Sequence, residues 1–259
     1  MPRFAANLSM MFNEVPFLDR FGQARRAGFD AVEFLFPYDH PAAELRQRLD
    51  NSGLAVVLFN MPPGDWAAGE RGLACLPGRQ AEFRDGVSRA LDYAQALGSP
   101  LLHAMAGIAP SGLRPGVAAA LYAANLAWAA DACAAAGVRV VVEPINQRDM
   151  PGYFLATTAQ GAAICEALGP DRVGLQLDLY HCQVSEGDLT RHMEALMPIT
   201  AHVQVADVPG RHEPGTGEIA WDWVFPQLDA LGYPGWVGCE YRPAGDTVAG
   251  LAWRERYHA

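Results

Sequence analysis

Four oxygen-bearing side chains stand at the ends of successive apolar runs in the second half of the chain: Glu143 in VVVEPIN, Asp178 in VGLQLDLYH, Gln204 in AHVQVAD and Glu240 in WVGCEY. If those runs are neighbouring parallel strands, the four donors converge on one point. Three carboxylates held that close in a poorly solvated pocket repel one another, so protons or a cation must neutralise them. A hard divalent ion such as Mg²⁺ or Mn²⁺ takes oxygen ligands of this kind, and the absence of Cys and His from the set argues against a zinc preference. Any one carboxylate read alone is as well explained by a salt bridge or a loop cap; only the set carries the expectation.

Two further side chains point the same way. His181 lies three residues after Asp178, and Arg211 sits in the loop ADVPGRHEPGTGE that follows the Gln204 run. Both can bind a carboxylate or a polarised oxygen, Arg through two parallel hydrogen bonds. Alone, His181 also fits a hydrogen-bonded structural histidine, and Arg211 a solvated loop residue that His212 could replace. His202 shares a strand face with Gln204, because side chains two apart point the same way, and either approaches the site or packs one layer below it.

Elements that could position these groups recur along the chain. Short apolar runs lie at Phe4–Leu8, Ala31–Phe36, Ala55–Phe59, Leu101–Met105, Arg139–Glu143, Val173–Leu177, Ala201–Ala206 and Trp236–Tyr241. Several are near-continuous Val and Leu, as parallel strands covered by helices require. Between them, helical patterns are predicted over 14–27, 41–52, 79–97, 117–136, 157–168, 187–197, 221–231 and roughly 247–257. Most end at a glycine, and Thr157–Thr158 are candidate N-caps for the fifth. Eight such units in a chain of 259 residues predict a single (β/α)8 TIM-barrel domain over 1–259 rather than an open doubly wound sheet, and no G-x-G-x-x-G follows the first strand. Chemistry in such a barrel sits at the C-terminal strand ends, where the four donors lie. The segment Asn60–Gly78 is long for a strand-to-helix loop; it reads as a lid carrying Trp66 and Arg71, or as a surface insertion packed on its own apolar residues.

Charge and cysteine content bound the function further. A net charge of −10 and a pI near 5.1 speak against a face that tracks a polynucleotide backbone. The five cysteines form no C-x-x-C pair and suit a reducing, cytoplasmic setting. The N-terminal MPRFAANLSMMF lacks a secretory pattern, and no apolar run is expected to reach membrane-spanning length.

The segments FAANLSMMF, AVEFLFPYD, GDWAAGERGLACLPGR, VEPIN, QLDLYH, HVQVADVPGRHEPGTGEI and GWVGCEY resemble bacterial hydroxypyruvate isomerases, which belong to the xylose-isomerase-like barrel superfamily of sugar isomerases and epimerases. The resemblance runs from the first strand to the last and extends through the third and seventh loops. It implies interconversion of hydroxypyruvate and 2-hydroxy-3-oxopropanoate (tartronate semialdehyde). It implies a metal held by Glu143, Asp178, Gln204 and Glu240, with Glu143 and Glu240 also the acid/base pair. It implies that His181 and Arg211 bind substrate oxygens; Arg71 of the lid is a further candidate to hold the substrate carboxylate. Related 3-epimerases usually carry His where this chain has Gln204, which favours the hydroxypyruvate-type branch.

Rival readings are a 2-oxo-tetronate isomerase, a ketose 3-epimerase, a non-catalytic sugar-acid binding protein, and a DNA-repair nuclease, which would need several His ligands and a basic face. The expected partner is a small anionic 2-oxo acid, with neither nucleic acid nor membrane. A homo-oligomer is compatible with the sequence, and Trp221–Trp223 is read as helix core.

Overall fold

The computed structural model describes residues 2–257 and closes the alternating strands and helices into an eight-stranded parallel barrel, with the strands in chain order and β1 beside β8. The strands are β1 Arg3–Asn7, β2 Ala31–Phe34, β3 Ala55–Asn60, β4 Leu101–His103, β5 Arg139–Val142, β6 Val173–Asp178, β7 Thr200–Val205 and β8 Trp236–Cys239. They lie where the apolar runs predict, and Glu143 and Glu240 fall one residue beyond β5 and β8. Every residue of β2 and β6 is buried, because helices cover the outer face and packed side chains fill the inner one.

The outer ring comprises α1 Phe17–Arg26, α2 Ala42–Ser52, α3 Gln80–Leu97, α4 Pro115–Ala135, α5 Thr158–Leu168, α6 Leu179–Ser185, α7 Leu189–Leu196 and α8 Trp221–Ala230. The predicted Thr157 cap is present: its hydroxyl accepts from Gln160 N, and the Gln160 side chain accepts from Thr157 N. Such a reciprocal cap stabilises a helix by about 1 kcal/mol.

Four expectations change. Helix α6, which leaves β6 directly, is outside the predicted helices, because the Asp178 that caps it reads as a strand end. The final segment Ala249–Tyr257 is a 3₁₀ helix. Trp221 is core but Trp223 is 55% exposed, since residues two apart on a helix face different sides. Helix α4 is long and apolar enough to cross a bilayer, against the sequence reading, because its many alanines raise its hydropathy without forming an obvious greasy run. Its Tyr122, Leu126, Ala129, Ala130 and Cys133 are buried in the barrel core.

Candidate active site

Asp178 ends β6 and simultaneously caps α6. Its Oδ1 accepts from Tyr180 N at 2.8 Å and His181 N at 3.3 Å, while its Oδ2 has no hydrogen-bond partner. The cap therefore fixes one carboxylate oxygen and aims the other into the barrel mouth. Glu143 Oε1 and Glu240 Oε2 are likewise buried without partners. Glu143, Asp178 and His181 each offer a ligand atom within 4.8 Å of one another, so this buried group could hold a metal ion.

The electrostatics follow from burial. Desolvation, reinforced by Glu240 and Asp178, holds the Glu143 carboxyl well above the ordinary range. Desolvation also raises Asp178, against the pull of Arg211 and the two backbone donors. Desolvation pushes Glu240 up to about 8, again opposed by Arg211. Three buried carboxylates that resist ionisation are what the charge argument from sequence anticipates.

Arg211 is the resident cation. Its Nη2 lies 3.7 Å from Asp178 Oδ2 and 3.5 Å from Glu240 Oε1, and its guanidinium stands over the Tyr180 ring. The loop that delivers it is organised by Asp207, which is fully buried. The Asp207 carboxylate accepts from the backbone amides of Val208, Gly215, Gly217 and Ile219 and from Trp221 Nε1. Gly217 allows this closure, because a Cβ there would fall on the Val208 carbonyl. His212 turns instead to the Arg242 carbonyl, 2.7 Å away, and so does not replace Arg211.

His181 is oriented by Asn146. Asn146 Oδ1 accepts from Asp149 N at 2.8 Å, which leaves its amide nitrogen 2.6 Å from His181 Nδ1. The imidazole thus accepts at Nδ1. Burial together with the nearby Arg211 charge holds it neutral, so its proton sits on Nε2. That Nε2 lies 3.8 Å from Glu143 Oε1 and 3.7 Å from Asp178 Oδ2.

Gln204 pairs in register with Asp178 on the adjacent strand. Its carbonyl oxygen accepts from Gln176 Nε2 at 2.6 Å and its amide nitrogen donates to Glu33 Oε1 at 2.7 Å. His202 belongs to the same lower network, with Nε2 2.6 Å from Glu33 Oε2, and settles one layer below the site. Arg71 reaches the rim from the third loop. It stacks 3.9 Å from the Trp66 ring centroid and donates to the Trp66 and Glu70 carbonyls. That loop has two parts: an exposed tip at residues 65–69, and a buried base where Gly72 bridges Ala106 and Cys75 N donates to the Ala106 carbonyl.

Glu143, Glu240, His181, Arg211 and Arg71 all line one cavity of about 640 Å³ at the C-terminal mouth of the barrel. Several residues of the site escape a strand-end reading: Glu33, Gln176, His103, Asn146 and Asp207. His103 lies with Nδ1 3.7 Å from Glu143 Oε2, and burial, helped by His202, lowers its pKa to about 3. The available signal for Glu33, His103 and Gln176 is a polar residue inside an apolar run, AVEFLF, LLHAM and VGLQL.

The chain belongs to the xylose isomerase-like TIM barrel family, whose model matches residues 21–257. It is 55% identical over 257 residues to the 2-oxo-tetronate isomerase of Cupriavidus necator, covering 99% of both chains. It is 45% identical over 257 residues to the hydroxypyruvate isomerase of Escherichia coli, covering 99% of this chain and 100% of that one. A crystal structure from Brucella melitensis, named AP endonuclease, family 2, superposes with a TM-score of 0.97 at 52% identity over the full length of both chains.

Proposed function

We propose that this protein is a 2-oxo acid isomerase that moves a carbonyl between C2 and C3, with hydroxypyruvate and 2-hydroxy-3-oxopropanoate as the substrate pair. The observation that carries the reading is a pair of buried glutamates, Glu143 and Glu240, just past the ends of strands β5 and β8, both lining one cavity at the barrel mouth. The names of the relatives at 55% and 45% identity support the same reaction class.

The residues fit a divalent cation: Glu143, Asp178 and Glu240 each keep a buried carboxylate oxygen without a partner, and Glu143, Asp178 and His181 offer ligand atoms within 4.8 Å of one another. Glu143, Asp178, Gln204 and Glu240 would hold Mg²⁺ or Mn²⁺, with the Gln204 carbonyl using its second lone pair. When bound, the ion supplies Lewis-acid polarisation of the substrate's carbonyl and hydroxyl oxygens. One glutamate takes a proton from C3 and the other delivers one to C2, while the hydroxyl proton passes from the C3 oxygen to the C2 oxygen. His181 Nε2–H and the Arg211 guanidinium donate to the oxygens on which negative charge develops. Arg71, just past the loop tip, holds the substrate carboxylate, and the tip serves as a lid. The partner is a small 2-oxo acid and the setting cytoplasmic.

A second substrate, 2-oxo-tetronate, is favoured by the name of the 55% relative and by a cavity roomy enough for one more carbon. A duplex substrate, suggested by the name of the Brucella protein, would need a basic face, and the net charge of −10 opposes it. The test is NMR of both acids in D2O with purified protein, with and without Mg²⁺ or Mn²⁺. Deuterium entering at C3 with appearance of the aldehyde supports the reading, and the faster acid identifies the substrate. Binding of both acids without exchange would establish a binding protein instead, and cleavage of abasic DNA a nuclease.

A further inference from the structure

Glu33 takes no part in the reaction just described, yet it is 1% exposed at the centre of the barrel and holds three donors. Its Oε1 accepts from Asn7 Nδ2 at 3.0 Å and from Gln204 Nε2 at 2.7 Å, and its Oε2 meets His202 Nε2 at 2.6 Å. The direction of these bonds can be traced from the backbone. Ser9 N donates to Asn7 Oδ1 at 3.1 Å, so Asn7 must turn its amide nitrogen to Glu33. Glu33 is therefore an acceptor at Oε1, and the group that Gln204 turns toward it must be the NH2. The Gln204 carbonyl oxygen is left to point the other way. Gly238 on β8 leaves the slot for this arrangement, because a Cβ there would fall on the Glu33 carboxylate oxygens.

An amide is a metal ligand only through its oxygen, and a free glutamine can turn either end outward. We propose that Glu33 is a positioning residue: by holding the Gln204 amide nitrogen, it ensures that Gln204 offers oxygen, not NH2, to a cation at the Glu143–Asp178–Glu240 cluster. The proposal rests on the reading that Gln204 helps hold that cation. Gln176 Nε2 donates to the same oxygen at 2.6 Å, which leaves its second lone pair for a ligand, and Gln176 Oε1 is itself buried without a partner.

The test is Mn²⁺ affinity of the purified full chain, read by isothermal titration calorimetry and by the electron paramagnetic resonance of free Mn²⁺, neither of which needs turnover. Circular dichroism melting checks each variant's fold. Glu33→Gln is expected to weaken Mn²⁺ binding about tenfold or more, the scale seen when a partner that orients a metal ligand is lost. Gln204→Ala is expected to weaken it at least as much, and adding Glu33→Gln to Gln204→Ala should cost nothing further.

The discriminating variant is Glu33→Gln with Gln204→Glu. A carboxylate presents oxygen whichever way it turns, so this double variant should return Mn²⁺ affinity to within about threefold of the wild type while leaving the net charge unchanged. A merely structural role for Glu33 predicts no such rescue. Equal losses from Glu33→Gln in the wild-type and Gln204→Ala backgrounds would overturn the positioning role. Wild-type affinity in Gln204→Ala, with loss in Glu143→Gln, would remove Gln204 from the cation site and the proposal with it. Loss of binding in neither would overturn the metal reading itself. If Glu33→Gln fails to fold, Asn7→Ala is the milder probe: it frees one donor from Glu33 and should move affinity in the same direction by less, whereas unchanged affinity would count against the proposal.

Discussion

Glu33 and Glu143 are both buried in the same barrel, yet the fold treats them in opposite ways. Glu33 receives three donors, from Asn7, Gln204 and His202, and behaves as structure. Glu143 keeps an oxygen with no partner, faces two more carboxylates, and is pushed toward its protonated form by desolvation first and by Glu240 next. A buried ionised group without compensation costs several kcal/mol, so the upper cluster is costly to the fold, while the network beneath it is compensated. Satisfied and unsatisfied buried acids thus separate, within one barrel, the network beneath the cavity from the cluster that faces it.

The widest break in this comparison is expected from exchanging each acid for its amide. Glu143→Gln and Glu240→Gln should each lower turnover by roughly 10²–10⁴ while the metal-free protein melts no lower than wild type. Glu33→Gln should instead lower metal-free stability by about 1–3 kcal/mol, since at least one of its donors then faces an NH2. Parallel turnover assays and thermal melts check this; near-normal turnover in either of the first two variants ends its acid/base assignment.

Asp207 tests the same contrast in a loop. Asp207→Ala leaves five donors without an acceptor and should cost about 3 kcal/mol, with kcat/KM falling about tenfold or more as Arg211 loses its seat. Equal melting curves would show that the loop does not depend on it.

A smaller effect is expected from pH. Glu240 in the metal-free chain titrates at about 8 against an ordinary value of 4.5, so between these limits the folded chain binds more protons than the unfolded one. Metal-free stability contributed by this group is therefore full below about 4.5 and declines as pH rises toward 8. Added Mg²⁺ or Mn²⁺, taking the place of protons, should raise the melting temperature more at pH 8 than at pH 5. A metal-free melting temperature that climbs across this range would contradict the burial argument for the cluster.

The smallest change is expected at the lid tip. Trp66→Ala removes the ring beneath Arg71 and should raise KM about two- to fivefold with little change in kcat, the scale of an exposed cation–π contact. A change in kcat alone would point away from ground-state carboxylate binding.

The barrel was legible because parallel strands buried on both faces leave uninterrupted apolar runs, and glycines mark where helices stop. Asp178 and Glu240 were legible because they end such runs. Glu33 was not: in AVEFLF it looks like an interruption, and its inward direction appears only when Asn7 and His202 are set beside it in the closed barrel. Asp207 was hidden for another reason. Its partners are backbone amides, which leave no trace in residue identity. Helix α6 was missed because the carboxylate that caps it reads equally well as a strand end. The orientation of His181 depends on Asn146, thirty-five positions away in sequence, and no spacing rule reports that.

The Asp207 hub has a consequence for how this barrel can change over evolutionary time. All five of its donors come from residues 208 to 221, so one side chain draws the seventh loop together, and three further bonds, at Arg211, His212 and Glu213, tie it to residues 242–244. Such a self-bracing segment can be inherited or exchanged as a cassette. A cationic fingertip at Arg211 would travel with it, provided the receiving barrel also supplies the segment after the eighth strand that bonds Arg211, His212 and Glu213.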